Sequence, residues 1–265
     1  MTEISKIIRQ IKDFNLDDPY SYERLILFFE INQIELPTLT FNIPKGKFFF
    51  RSRDNKEINF FAKIKDLYCP PKDCVINFNR ANRPYQSMFY CSDKKETSYS
   101  EFVEDWREKP FGSVFNITVS TWETLQNLNL HLIYNRKTMG EDFNSIKGED
   151  WNEDNLLIND FLVDIFQKSS HNNKLIYVLT SAISNVLLLR SKLDGIMFPC
   201  VPTNGNGLNL VLKPGICNKN YLKIKHVIRD TFMTIKNENN LKANHINIAS
   251  IDGKFDYANG LILWE

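Results

Sequence analysis

A cation, an aromatic ring and a carboxylate, side-chain types that together could hold a small anionic ligand, fall within one short stretch. In residues 78–102, FNRANRPYQSMFYCSDKKETSYSEF, Arg80 precedes Tyr90 by ten positions and Glu101 follows eleven later. A guanidinium makes bidentate, charge-assisted bonds to phosphate oxygens. A phenol offers a ring for a sugar or flat heterocycle, and a carboxylate stabilises positive charge that develops in a transition state. If a strand and the following helix form one layer of a cleft, the three converge on one small anionic ligand.

The local pattern supplies those elements. Arg-Ala-Asn-Arg-Pro reads as loop, Met88-Phe89-Tyr90-Cys91 as a short strand, Ser92-Asp93-Lys94-Lys95 as a turn, and Ser98 opens a helical pattern. Each residue also has a plain structural role. Ser98-Tyr99-Ser100-Glu101 fits a capping box, in which Glu101 satisfies backbone at a helix start. The same glutamate falls opposite the apolar stripe of Tyr99, Phe102, Val103 and Trp106. Tyr90 shares a strand face with Met88, which suits core packing as well as it suits a site. Arg80, Arg83, Arg51 and Arg53 are individually ordinary surface arginines, but as a group they suit a pyrophosphate. Cys200, at a strand end, is by itself packing.

The spacing of Arg80, Tyr90 and Glu101 resembles the RES-domain family. The resemblance extends to Asp194-Gly195-Ile196-Met197-Phe198-Pro199-Cys200-Val201 and to Gly207-Leu208-Asn209-Leu210-Val211-Leu212, and covers about residues 48–214. Where that family carries a serine, this chain has Cys200. The resemblance implies an α+β fold with a split sheet core similar to ADP-ribosyltransferases. It implies NAD as substrate, cleaved between nicotinamide and ribose by an NAD glycohydrolase or phosphorylase, with no metal. Carried over, Glu101, Arg80 and Tyr90 are catalytic, and Arg51, Arg53, Arg83, Cys200 and Asn209 bind the nucleotide. The implied setting is toxin-like, with an antitoxin or immunity protein as partner and a homodimer left open. A mono-ADP-ribosyltransferase acting on a macromolecule is an alternative, and so is a non-catalytic nucleotide-binding module, which the Cys200 departure favours because a thiol is a weak hydrogen-bonding group.

The whole chain bounds these readings. Its 265 residues, 43% apolar and 13% aromatic, are enough for a well-buried domain. Lysine and arginine number 33 against 32 acidic residues, so no broad electrostatic case exists for nucleic acid or an anionic membrane. Five cysteines, at 69, 74, 91, 200 and 217, form no secreted framework. The charged, amphipathic N-terminus is unlike a secretion signal, and no apolar run approaches the roughly 18 residues of a membrane helix. A cytoplasmic protein is the expectation.

Two amphipathic helices, Ile4 to Phe14 and Tyr22 to Ile31, are read as an N-terminal attachment over residues 1–45, and residues 46–265 as the NAD-binding domain. Lys47 to Arg53, Val114 to Val119 and Leu128 to Tyr134 read as strands, followed by an acidic loop at 140–154 and then by helices at 155–168 and 173–190. Two strands flank the Pro-Thr-Asn-Gly-Asn-Gly loop. Beyond Tyr221 four separate short strands are expected, with Asp252-Gly253 as a hairpin turn. The incomplete glycine fingerprint at 205–210, the Cys69/Cys74 pair and the four scattered histidines carry no dinucleotide, zinc or triad chemistry.

Overall fold

The fold is described from a computed structural model, covering residues 2–34, 36, 39–55, 58–107, 109–136, 151–168, 175–189, 192–203, 206–237 and 240–265. The acidic loop expected at 140–154 lies largely outside them, as do parts of the expected helix 173–190.

Ten strands are joined in one sheet. In chain order they are β1 (Thr40–Ile43), β2 (Phe48–Asp54), β3 (Phe89–Ser92), β4 (Val114–Thr124), β5 (Leu128–Leu132), β6 (Gly195–Pro199), β7 (Leu208–Leu212), β8 (Leu222–Asn237), β9 (Asn240–Asp256) and β10 (Leu261–Trp264). Their spatial order is β1-β5-β6-β7-β3-β2-β4-β8-β9-β10. Five α-helices are present among the described residues: α1 (Glu3–Lys12), α2 (Ser21–Ile31), α3 (Lys95–Arg107), α4 (Glu153–Phe166) and α5 (Ile176–Leu189). This is a mixed α+β arrangement. None of these helices is long and apolar enough to cross a membrane.

β5 and β6 pair in parallel, and the connection between them contains α4 and α5. A parallel pair needs such a crossover, because a tight turn cannot return the chain in the same direction. The strict two-residue period then divides the core. Ile133, Ile196, Phe198 and Val211 face the helices, together with Tyr90 and Met88. Leu130, Leu132, Met197, Leu210, Leu212, Phe89 and Cys91 face the other side, against Phe49, Trp122 and Leu222. Each fully buried large apolar side chain contributes about 1.5–3 kcal/mol relative to exposure.

The first two helices belong to this same core. Thr2 caps α1, its Oγ1 accepting from Ser5 N–H at 3.2 Å. Ile11 of α1 and Tyr22, Leu25 and Phe29 of α2 are buried with residues of α4 and α5, and β1 pairs with β5. The segment 1–45 therefore covers the helical side of the sheet and supplies an edge strand.

The strand pattern after Tyr221 departs from the sequence expectation. Instead of several short strands, β8 and β9 form continuous runs of 16 and 17 residues. Their ladder is made by backbone groups and continues through positions whose polar side chains interrupt the apolar pattern. Asp252-Gly253 is likewise not a turn but lies within β9, paired to Val227 and Ile228. Gly253 is small because Val227 and Ile262 close over it: an added Cβ would sit 2.7 and 2.8 Å from their side chains.

Candidate functional site

Between β2 and β3 the ladder reduces to one residue pair, Phe50 with Ser92. The sheet is thereby two arms that part at this joint, and a half-open cavity of about 320 Å³ occupies the parting. Its lining includes Arg51 and Ser52 of β2, Tyr90 and Ser92 of β3, Ser98 and Glu101 of α3, Asn209 of β7, Phe198 of β6, and Arg80 and Asn82 from the loop before β3. Arg80, Tyr90 and Glu101, separated in the chain, thus share one hollow.

Glu101 is fixed by the strand behind it. The helix begins at Lys95, three residues before the expected start, and Ser98 N–H already donates to Lys94 C=O at 3.1 Å. The capping-box role is therefore overturned: Ser98 and Glu101 lie within the helix, past its unpaired first amides. The Glu101 carboxylate turns instead to β7 and the end of β6. Asn209 Nδ2 donates to Glu101 Oε1 at 2.6 Å, and Cys200 Sγ donates to the same oxygen at 3.2 Å. Ser92 and Asn209 are direct register partners, so Ser92 Oγ reaches Asn209 Oδ1 at 2.8 Å and fixes which end of the amide faces the carboxylate. Glu101 itself is exposed on the cavity side. A carboxylate anchored through one oxygen from behind and open in front is preoriented for a ligand hydroxyl.

Cys200 is fully buried and also lies 3.1 Å from Ser100 Oγ. Burial, and then the charge of Glu101, push its thiol pKa up, so it remains a protonated donor to the carboxylate. Its place is beside Glu101 rather than in the lining of the cavity.

Tyr90 is held at both ends. Its ring packs on the helical core, and its hydroxyl donates to Asn82 Oδ1 at 2.7 Å while accepting from Ala81 N–H at 3.0 Å. Burial raises its pKa well above the usual phenol value, so it stays neutral.

Arg51 bridges the gap where the ladder stops: its Nη1 donates to Tyr90 C=O at 2.7 Å. It is 8% exposed, stacks over Phe89 with 5.0 Å to the ring centroid, and makes no ion pair among the described residues. Burial, followed by the charge of Arg53, pulls its pKa below the usual arginine value. A buried cation without a carboxylate beside it favours an anion in the cavity.

Arg80 faces the cavity but is partly committed. Two of its nitrogens donate to the ends of the α4 segment, to Phe166 C=O at 2.8 Å and Lys168 C=O at 3.1 Å, and its guanidinium lies over Tyr177. It caps a helix C-terminus, as a cation there should. Arg53 and Arg83 are not part of the cavity lining. Arg53 donates to Asp66 C=O and stacks on Phe61, and Arg83 stacks on Tyr22, so both side chains are engaged elsewhere. Asn82, Ser92 and Ser98 were missed in sequence, although all three lie within the opening stretch; isolated small polar residues carry no spacing signal.

Behind α3, Asp230 of β8 is fully buried and anchors the helix start. Lys95 Nζ lies 3.0 Å from its carboxylate, Ser250 Oγ donates at 2.5 Å, and Tyr99 also donates to it. Burial pushes this carboxyl upward, but the bonds from Ser250, Tyr99 and Lys95 outweigh it and hold the pKa below the usual aspartate value. Among the described residues no group of three or more His, Cys, Asp or Glu side chains is assembled to hold a metal ion. No protein-family model matches the chain, and no curated protein matches it.

Proposed function

We propose that the cavity binds NAD and that the protein cleaves the bond between nicotinamide and ribose, on a split sheet of ADP-ribosyltransferase type. The observation that carries this reading is the Glu101 carboxylate, held by Asn209 and Cys200 at the edge of a cavity that also contains Arg51, Arg80 and Tyr90. The single-pair joint between β2 and β3 supports the split-sheet comparison.

Cleavage of an N-glycosidic bond develops positive charge on the sugar, and contacts to the 2-hydroxyl strengthen as it does. Glu101 accepts the hydrogen bond of the ribose 2′-hydroxyl through its free side and stabilises the oxocarbenium-like state more than the ground state, which is what accelerates the step. Asn209 and Cys200 keep the carboxylate oriented. Tyr90, neutral and held by Asn82, presents its ring edge to the ribose. Arg51, with the remaining donors of Arg80, attracts the diphosphate. Water as acceptor gives nicotinamide, ADP-ribose and a proton. Phosphate gives ADP-ribose 1″-phosphate, and a macromolecular side group gives a transferase product. In the toxin-like setting, an antitoxin or immunity protein would bind over this cavity.

A non-catalytic nucleotide-binding module is the second reading, favoured by the commitment of two Arg80 nitrogens to α4 carbonyls. Release of free nicotinamide from NAD separates the two. Wild type releases it, and Glu101→Gln lowers the rate about 10²–10³-fold with an unchanged melting curve. Equal rates in both proteins would remove Glu101 from the chemistry, and nucleotide binding without nicotinamide release would leave the module.

A further inference from the structure

A second cavity, of about 520 Å³, borders the same β2–β3 joint. Phe50 and Ser92 of the joint line the first cavity, and their chain neighbours Phe49 and Asp93 line the second. Its apolar lining belongs to the cluster on the side of the sheet away from Tyr90. Leu132 and Met197 are register partners in β5 and β6, and with Phe49 they are almost fully buried, which gives the cavity a rigid floor. Phe41 and the 48% exposed Phe48 add aromatic wall. A mostly apolar cavity of about 300–1,000 Å³ with a few polar groups is the usual form of a small-molecule site.

Among the described residues the lining has polar side chains only at Lys47, Tyr134 and Asp93. The Lys47 backbone is fixed to Thr124 in both directions, its N–H donating to Thr124 Oγ1 and its C=O accepting from Thr124 N–H, each at 2.9 Å. Neither the Lys47 ammonium nor the Tyr134 hydroxyl has a partner among the described residues. Asp93, by contrast, is committed: its Oδ1 accepts from Leu208 N–H at 2.9 Å, and its own N–H donates to Leu208 C=O at 3.0 Å. The groups left over are both donors and one is a cation, so the matching ligand group is an anionic acceptor. Phosphate is best held by the paired donors of arginine, and no arginine lies in this lining. A carboxylate is the acceptor that one ammonium and one phenol satisfy.

We infer that this second cavity binds a small monocarboxylate with an aliphatic body, its acid group on Lys47 and Tyr134 and its chain against Leu132, Met197 and Phe49. Burial of the chain supplies the affinity, and the two donors fix which end faces the polar groups. The site does not depend on what the first cavity binds.

The full chain is titrated calorimetrically with hexanoate, octanoate and decanoate. Expected is one molecule per chain, with affinity rising about fourfold per added methylene as more chain is buried. Lys47→Gln, at an exposed position, should weaken decanoate about 2–5-fold, the size of an exposed ion pair. Tyr134→Phe, which keeps the ring, should weaken it about 10-fold by removing a hydrogen bond to a charged group. A decanoate analogue bearing a diazirine on its chain should crosslink to peptides containing Phe41 to Phe49 or Leu132 to Tyr134. The absence of saturable binding, an affinity that does not change with chain length, or equal affinity in wild type and both variants overturns the assignment. So do crosslinks confined to the peptides of Arg51 and Arg80, which would place the acid in the first cavity.

Discussion

Replacing His131 with leucine tests the packing of the sheet against its helices through a pH-dependent stability. His131 lies in β5, is 1% exposed, and neither ring nitrogen has a hydrogen-bond partner among the described residues. Burial lowers its pKa from 6.5 to about 4. The folded chain thus keeps the imidazole neutral where the unfolded chain takes up a proton, so stability is complete above pH 6.5 and falls as pH drops toward 4. At 1.36 kcal/mol per pH unit the whole loss is about 3 kcal/mol, of which about 2 kcal/mol has appeared by about pH 5. His131→Leu removes this term together with unpaired polar atoms whose burial costs about 1–3 kcal/mol. Urea unfolding of both proteins at about pH 7.5 and pH 5 should show the variant gaining about 2 kcal/mol on wild type between the two, a Tm difference of about 4–8 °C. Curves that stay parallel across that range would refute the burial of a neutral His131.

Two substitutions test how Glu101 is held. Asn209→Leu removes a charge-assisted hydrogen bond of about 1.5–3 kcal/mol, so the protein should lose stability, and under the proposed cleavage nicotinamide release measured where the variant remains folded should fall about 10–100-fold; an unchanged rate would show that the 2.6 Å contact does not orient the carboxylate. Asp230→Ala leaves Lys95, Tyr99 and Ser250 without their shared acceptor and should destabilise the protein by about 3 kcal/mol in denaturant titration, whereas a loss below about 1 kcal/mol would mean that Asp230 does not anchor α3.

Much of the architecture was legible in the chain. The stripes at helical spacing in Ile4 to Phe14 and Tyr22 to Ile31, and the aromatic run before Arg51, correspond to α1, α2 and β2 because burying an apolar face needs a fixed period. In sequence the late strands read as fragments because hydrophobic pattern follows side chains, whereas β8 and β9 are continued by backbone pairing. Glu101 reads as a cap for a related reason: Ser-x-x-Glu has the same spacing inside a helix as at its start, and only the helix start at Lys95, with Ser98 N–H already bonded to Lys94 C=O, decides which.

By itself the sequence determined which residues are chemically able to hold an anion and stabilise a cationic sugar, and which stripes must be buried, because side-chain type and local period are properties of the chain. Only the tertiary structure decided that Arg51 and Arg80 line the parting of the sheet while Arg53 and Arg83 do not, and that Asn209 and Cys200 reach one oxygen of Glu101. Those outcomes depend on where the β2–β3 ladder ends and on the register of Ser92 with Asn209, and register arises from pairing between distant segments.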